Sequence, residues 1–316
     1  MAKPKRPVRP KTPWVRVDGV LLLDKPAGMS SNSALQKARH LFLAEKGGHT
    51  GTLDPMATGL LPLCFGEATK FSHDLLEADK TYIATVKLGE RTNTGDADGE
   101  LLETQPIPFD ASSRLPALLP FFTGLIKQVP PMYSALKRDG VPLYKLARQG
   151  IEVERTARTV CIHELQLIDC ALPKSPFVEI KVRCSKGTYI RSLAEDIGAA
   201  LGCGAHLTAL RRTAVGRLSI DNALTLEQLQ LGFASGTLLG FLQNTESLLQ
   251  EFPALTIAGL ACERFCHGNP ASDVLPPSTL PGAHFRVYAD NEFLGLGQST
   301  LQGNLQPKRL VRPLTD

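Results

Sequence analysis

One carboxylate in this chain stands where its neighbours could support chemistry. Residues 47–70 read GGHTGTLDPMATGLLPLCFGEATK, and within them His49-Thr50-Gly51-Thr52-Leu53-Asp54-Pro55 sets Asp54 on a glycine-flanked turn between polar side chains. Asp-Pro punctuated by Gly51 and Gly59 is a turn signal, and Leu60 to Phe65 suit a buried strand or wall segment. An Asp before Pro ordinarily just accepts backbone N–H bonds in its turn. His49 lies five residues upstream and an apolar run follows directly, so Asp54 is expected at a pocket rim, where a carboxylate can serve as a nucleophile. An aspartyl hydrolase or phosphotransferase finds little support, because the sequence offers neither a Walker loop nor a metal-ligand cluster.

Several elements must hold that turn. Gly19 to Asp24 (GVLLLD) reads as a short buried strand, Lys25 to Gly28 as a turn, and Ser31 to Leu43 as a helix with Ser or Asn available as its N-cap. Thr81 to Leu88 is a second strand, in which Ile83 blurs the alternation and predicts burial on both faces. Phe177 to Cys184 alternates more cleanly and runs into Lys186-Gly187-Thr188. After it Ile190, Leu193, Ala194, Ile197 and Leu201 recur at helical spacing. Thr188 is expected to cap that helix, which puts Arg191 in its first turns.

From Thr123 to Gly150 the pattern breaks at Pro130-Pro131, Asp139-Gly140 and Pro142 around a short helical piece, Leu143 to Gln149, and reads as an excursion from the core. Residues 124 to 158 hold seven Lys or Arg against three acids, with Lys145 and Arg148 on one helix face. A charge run is ordinarily a solvated face. Met132, Tyr133, Leu136 and Tyr144 accompany these charges and favour a clamp on an RNA backbone. After Phe252 come short strand signals at Phe285 to Ala289 and Phe293 to Gly297 around an Asp290-Asn291 turn.

Composition narrows the function class. The 316 residues, 43% of them apolar, suit one large or two smaller globular units. No stretch approaches the ~18 apolar residues of a membrane span, and the N-terminus lacks the apolar centre of a secretory signal, so a cytoplasmic protein is expected. Seven cysteines without a CxxC pair suit reduced thiols; Cys262, Cys266 and His267 are a weak metal motif and read instead as buried thiols, with no metal expected. The net charge of +4 is uneven. Lys3, Lys5, Arg6, Arg9, Lys11 and Arg16 form an acid-free, proline-rich leader over residues 1–16, expected to be disordered, and leave the remainder near −2. Nucleic-acid binding would therefore rest on local patches.

The run Gly48 to Leu61, taken whole, resembles the motif that carries the catalytic aspartate of the TruB family, the tRNA pseudouridine synthases that modify uridine 55 in the T arm. Other segments agree in the family's order: Leu23-Asp24-Lys25-Pro26-Ala27-Gly28-Met29-Ser30, Lys80-Thr81-Tyr82, Ser185-Lys186-Gly187-Thr188-Tyr189-Ile190-Arg191, and Gly204-Ala205-His206-Leu207 with Leu210-Arg211-Arg212. The resemblance spans residues 19 to about 220 strongly and the C-terminal quarter more loosely.

This resemblance implies an α+β fold. A catalytic domain over 17–250, with a mixed, mainly antiparallel sheet and flanking helices, would carry an RNA-clamping insertion at 124–152 and be followed by a small β-barrel PUA-like RNA-binding domain over 251–316. It implies that Asp54 is the nucleophile and that Arg191 pairs with it. Tyr82 would stack on a flipped uracil and help a proton transfer, His49 would fill or brace the space the base leaves, and Tyr189 and Leu210 would line the base pocket. Lys25 and Pro26 would buttress it from beneath. Lys137, Lys145, Arg148, Arg211 and Arg212 are the candidates for RNA-backbone contact. The isomerisation breaks the ribose C1′ to N1 bond and rejoins uracil through C5 with no redox change, so no cofactor is expected. The carboxylate could attack the sugar or the base, or assist uracil departure. The partner implied is tRNA, bound by a monomer. A tRNA-folding chaperone role is compatible with that, whereas the basic insertion argues against the catalytic subunit of a guide-RNA particle.

Overall fold

The computed structural model describes residues 13–311. The leader expectation for residues 1–12 lies outside this range, as does Arg312. Residues 13–16, grouped with the leader on charge, are exposed yet tethered to the body: Val15 N donates to Leu43 O at 2.8 Å, and the Arg39 guanidinium sits 4.5 Å from the Trp14 ring centroid.

The first elements are β1 (Gly19–Lys25), α1 (Ser31–Phe42), β2 (Gly47–His49), β3 (Thr58–Phe65), α2 (Ser72–Glu77) and β4 (Lys80–Leu88). Ser30 caps α1, its side chain accepting from Ser33 N. A small hairpin, β5 (Glu90–Thr92) with β6 (Leu101–Thr104), leads to α3 (Ala111–Leu118) and β7 (Gly124–Gln128). The basic excursion folds as a two-residue-per-strand hairpin, β8 (Lys137–Arg138) with β9 (Val141–Pro142), then α4 (Leu143–Ala147). Next come β10 (Arg158–Cys170), β11 (Phe177–Cys184), α5 (Ile190–Leu201), β12 (Ala205–Val215), β13 (Leu218–Ser219) and α6 (Leu226–Ser235).

These strands make a nine-stranded sheet in the order β1-β3-β12-β4-β11-β10-β7, with β2 on β3 and β13 on β12. Every pairing is antiparallel except β12 with β3. The mixed, mainly antiparallel α+β core is therefore as expected. On β4 the buried residues Ala84, Val86 and Leu88 share one face, while Ile83 on the other is only half-buried. Ile83 does not mark a strand buried on both sides. Helices α1 and α5 cover the core face through Ala34, Leu35, Ala38, Leu193, Ala194 and Ile197.

The parallel join of β12 to β3 decides where the Asp54 loop sits, because Arg211 pairs with Thr58 and Arg212 with Gly59. Gly59 has φ +102°, and a Cβ there would run into the Arg212 backbone carbonyl. Only glycine permits this approach. Gly59→Ala should lower stability by at least about 1–3 kcal/mol from backbone strain, measured as a lower urea midpoint.

The C-terminal unit has β14 (Ala254–Thr256), α7 (Gly259–Cys266), β15 (His284–Ala289), β16 (Glu292–Ser299) and β17 (Leu305–Leu310) in a four-stranded sheet of that order. The expected Asp290-Asn291 turn joins β15 to β16, both residues adopting positive φ. Among the described residues β14 and β17 do not pair with each other, so the sheet stays open where a closed barrel was expected. The unit packs on the main core through Leu296 with Leu248 and Val215, and through Phe293 against Phe71. Cys262 and Cys266 are respectively part-exposed and exposed, not buried as expected, because α7 turns Phe265 into the core instead.

Candidate active site

The loop between β2 and β3 is clamped from both sides. Ser31, the first residue of α1, donates through Oγ to Leu53 O at 2.9 Å and accepts from Leu53 N at 2.8 Å. Lys25, at the end of β1 and fully buried, donates through Nζ to Met29 O (2.6 Å), Pro26 O (2.9 Å) and Pro55 O (3.3 Å). A buried ammonium with three carbonyl acceptors is satisfied by hydrogen bonding. Burial lowers its pKa to about 8, against the pull of the nearby Asp54 carboxylate. Thus Lys25 holds the Asp54-Pro55 turn by its backbone.

Asp54 projects from this loop into a cleft of about 260 Å³. Its Oδ2 lies 3.1 Å from Arg191 Nη2, and the two side chains are 40% and 6% exposed. Arg191 is therefore the buried partner. Its other donors are engaged as well: Nη1 bonds Asp96 Oδ2 (3.3 Å) and Thr94 O (3.1 Å), and Nη2 bonds Tyr133 O (2.7 Å). Asp96 is nearly as buried as Arg191, and its Oδ1 accepts from Thr94 Oγ1 at 2.6 Å and from Asp98 N at 3.2 Å.

One guanidinium is thus divided between two carboxylates, and the division sets the character of Asp54. The protein walls around the cleft push the Asp54 carboxyl above its ordinary pKa, and Arg191 only partly opposes this, while Asp96 adds to the rise. Asp54 keeps an open side and is aligned by one Arg191 nitrogen, a combination suited to nucleophilic attack once the cleft is covered.

Tyr82 on β4, Leu210 on β12 and Tyr189 at the start of α5 line the same cleft. Burial raises the pKa of both tyrosines, so each presents a neutral ring and hydroxyl. Tyr189 is anchored by its backbone: its N–H donates to Gln128 Oε1 (3.1 Å), and Gln128 Nε2 donates to its carbonyl (3.3 Å).

Comparison with known proteins bears directly on this arrangement. The chain matches the TruB family pseudouridylate synthase (N terminal domain) over residues 39–190, the tRNA pseudouridylate synthase B C-terminal domain over 191–250, and the C-terminal model of pseudouridine synthase II TruB over 253–311. It is 54% identical over 305 residues to the tRNA pseudouridine synthase B of Burkholderia lata, with 96% of this chain and 93% of that protein covered. The chain belongs to the TruB family of pseudouridine synthases. A second TruB relative, the tRNA pseudouridine synthase B of Dechloromonas aromatica, is 55% identical over 302 residues, covering 96% of this chain and 98% of that protein. A solved H/ACA RNP bound to a substrate RNA containing 2′-deoxyuridine shares the fold at TM-score 0.72 and 24% identity, over 93% of this chain and 85% of that one.

Within this TruB chain the structure brings Asp54, Tyr82, Tyr189, Arg191, Leu210 and Arg212 to one cleft and keeps His49 and Pro26 out of its lining. His49 ends β2 opposite Leu63, outside the cleft lining. Burial and the neighbouring Arg212 lower its pKa, and its buried Nδ1 has no hydrogen-bond partner among the described residues. Pro26 also lies outside the lining, below the loop, where its carbonyl serves Lys25.

Arg212 is corrected from the phosphate role expected of it. It is 1% exposed, and its guanidinium donates to Leu60 O (2.8 Å) and Gly51 O (3.2 Å), which ties β3 to the Asp54 loop. The parallel β12–β3 join turns this side chain inward and supplies carbonyls that need donors. Arg211, on the other face, forms a fork with Asp24 at 3.1 and 2.7 Å, so its charge is already engaged within the protein. Lys137, Lys145 and Arg148 are exposed on the excursion. Thr188 does not cap α5: its Oγ1 donates back to Ser185 O at 2.9 Å, and Tyr189 takes the N-cap position without a side-chain cap.

Asp96, Gln128 and the Tyr133 carbonyl were not read from the sequence. A signal for the first existed, because a buried arginine carries five donors that one carboxylate cannot satisfy. Nothing in the sequence singles out Gln128.

Proposed function

We propose that this protein isomerises uridine 55 in the T arm of tRNA to pseudouridine, acting in the cytoplasm as a monomer and without a guide RNA. The observation that carries this reading is the Asp54–Arg191 pair, 3.1 Å apart in a cleft walled by Tyr82, Tyr189 and Leu210. The name tRNA pseudouridine synthase B, borne by relatives more than half identical over nearly the whole chain, supports the substrate class. A loop uridine must leave its stack to reach Asp54. The neutral tyrosines offer faces for the extruded uracil, and Asp54 attacks the nucleoside while the cleft retains the detached base.

Segment 124–152 would grip the arm. It is tied to the chemistry at one end, since Tyr133 O accepts from Arg191 and Ser134 lines the cleft, and it presents Lys137, Lys145 and Arg148 outward at the other. The C-terminal unit would add RNA contacts through its own surface. The test of the reaction is to incubate a minimal T-arm hairpin with purified protein alone and map pseudouridine in the product. Conversion at the loop uridine is expected, and its absence with a correctly folded hairpin would refute the proposal.

The grip has a separate test. Replacing Lys145 and Arg148 together by alanine should weaken T-arm binding and flatten the dependence of log affinity on log salt by roughly one to two units, since each phosphate contact contributes a little under one. An unchanged slope would make the segment a solvated loop.

A further inference from the structure

On β10 a thiol and a histidine stand side by side, and Asp79, just before β4, faces the histidine from across the sheet. Cys161 and His163 stand two apart on β10. The pairing of β10 with β11 shifts register between Ile162 and Glu164, which makes His163 the extra residue of a β-bulge, a device that re-aims a side chain. His163 Nδ1 lies 3.6 Å from Cys161 Sγ, and His163 Nε2 lies 3.1 Å from Asp79 Oδ1. An ionised carboxylate only accepts, so Nε2 carries the hydrogen and Nδ1 is the acceptor facing the thiol. Asp79 is held in turn: Arg183 Nη1 donates to its Oδ2 at 3.4 Å, and its carbonyl accepts from Gly216 N at 2.8 Å.

Nucleophile, base and orienting carboxylate thus stand in working order. Cys161 is also accessible, unlike Cys64, Cys184 and Cys203, which are buried. Burial pushes Cys64 up to about 12 and Cys184 up to about 11, which keeps those thiols protonated and inert. Cys161 also adjoins the cleft: it exchanges two hydrogen bonds with Ser185, a cleft-lining residue, through Ser185 N to Cys161 O at 2.8 Å and Cys161 N to Ser185 Oγ at 2.9 Å.

We propose that Cys161 is a modification site, a thiol oxidised by hydroperoxides with His163 as its base and Asp79 as the group that orients the base. In the step, Sγ attacks the terminal peroxide oxygen. The S–O bond forms as the O–O bond breaks, sulfur gives up two electrons, and the peroxide is reduced. The thiol proton passes to His163 Nδ1 and from there to the departing oxygen, which leaves as water when the oxidant is hydrogen peroxide. The product is the sulfenic acid, one rung up the oxidation ladder of cysteine.

The test labels the whole folded protein in two ways, with hydrogen peroxide in the presence of dimedone and with iodoacetamide, and resolves each cysteine by peptide mass spectrometry. Cys161 is expected to react about ten-fold or more faster than the similarly part-exposed Cys170 under both reagents. His163→Gln should remove most of that advantage while Cys170 keeps its rate, and Asp79→Asn should remove part of it. Buried Cys64 remaining unlabelled reports that each variant is folded. Equal rates at Cys161 and Cys170 in the unsubstituted protein overturn the proposal regardless of how the variants fold, as does a Cys161 rate indifferent to His163→Gln in a folded variant.

Discussion

Asp54→Asn should abolish pseudouridine formation, with turnover down by roughly 10⁴- to 10⁶-fold as for loss of a nucleophile, while affinity for the T-arm hairpin stays within a few-fold. The basis is local. Asparagine is nearly isosteric, its oxygen can still accept from Arg191, and the Ser31 and Lys25 side chains clamp the loop through its backbone atoms, not through the Asp54 side chain. Binding through phosphate contacts does not involve the carboxylate, so the loss should fall on the chemical step. Single-turnover rates and filter binding on the same preparation separate the two, and a variant that still makes pseudouridine would remove Asp54 from the mechanism. The pH profile adds a signed expectation. Asp54 must be ionised to attack, and its pKa is raised by burial beyond what Arg191 takes back. The acid limb of single-turnover rate should therefore lie above the ordinary carboxylate range, with activity gained as pH rises through it. Because Asp96 is one of the charges that raise Asp54, Asp96→Asn should move that limb to lower pH even as it slows the reaction.

How far the sequence anticipates this site depends on the range of the forces involved. The strands β4 and β11 and the helices α1 and α5 were legible because burial of one face imposes a local period, and β1 because a short continuous apolar run marks a strand buried on both faces. The Asp290-Asn291 turn was legible because two successive positive φ angles demand such residues. Asp54 stood out by its turn chemistry and by its family motif. The meeting of Asp54 with Arg191, however, depends on β12 inserting parallel to β3 and antiparallel to β4, a topological choice no local window encodes. The same choice explains the misreading of Arg212. In sequence it is one of two adjacent arginines, but the strand's alternation sends Arg211 to Asp24 at one face and Arg212 into carbonyls at the other. Thr188 likewise looked like a cap until its turn closed on Ser185 O. Asp96 escaped notice because its role is defined wholly by a partner 95 residues away.

Arg191→Ala should cost both activity and stability, and the two losses should respond differently to a second substitution. Arg191 is buried and is the only cation bonded to the buried Asp96 among the described ion pairs. Deleting it leaves Asp96 as an uncompensated interior charge, a change that costs about 3–5 kcal/mol in comparable pairs, and leaves the Thr94 and Tyr133 carbonyls without this donor. Adding Asp96→Ala removes the stranded carboxylate, so the double variant should recover a measurable part of the lost stability, giving a coupling energy on the order of 1–3 kcal/mol in a double-mutant cycle. Activity should not recover with it, because Asp54 would still lack its partner and sit higher in pKa. Arg191→Lys sharpens the distinction. One ammonium cannot span Asp54, Asp96, Thr94 O and Tyr133 O as the planar fork does, so this variant should keep most of the fold while turnover falls by about 10²-fold or more. If chemical denaturation showed the Arg191→Ala and Asp96→Ala effects to be simply additive, the guanidinium would not be shared between the two carboxylates, and the account of how Asp54 is held at its raised pKa would fail with it.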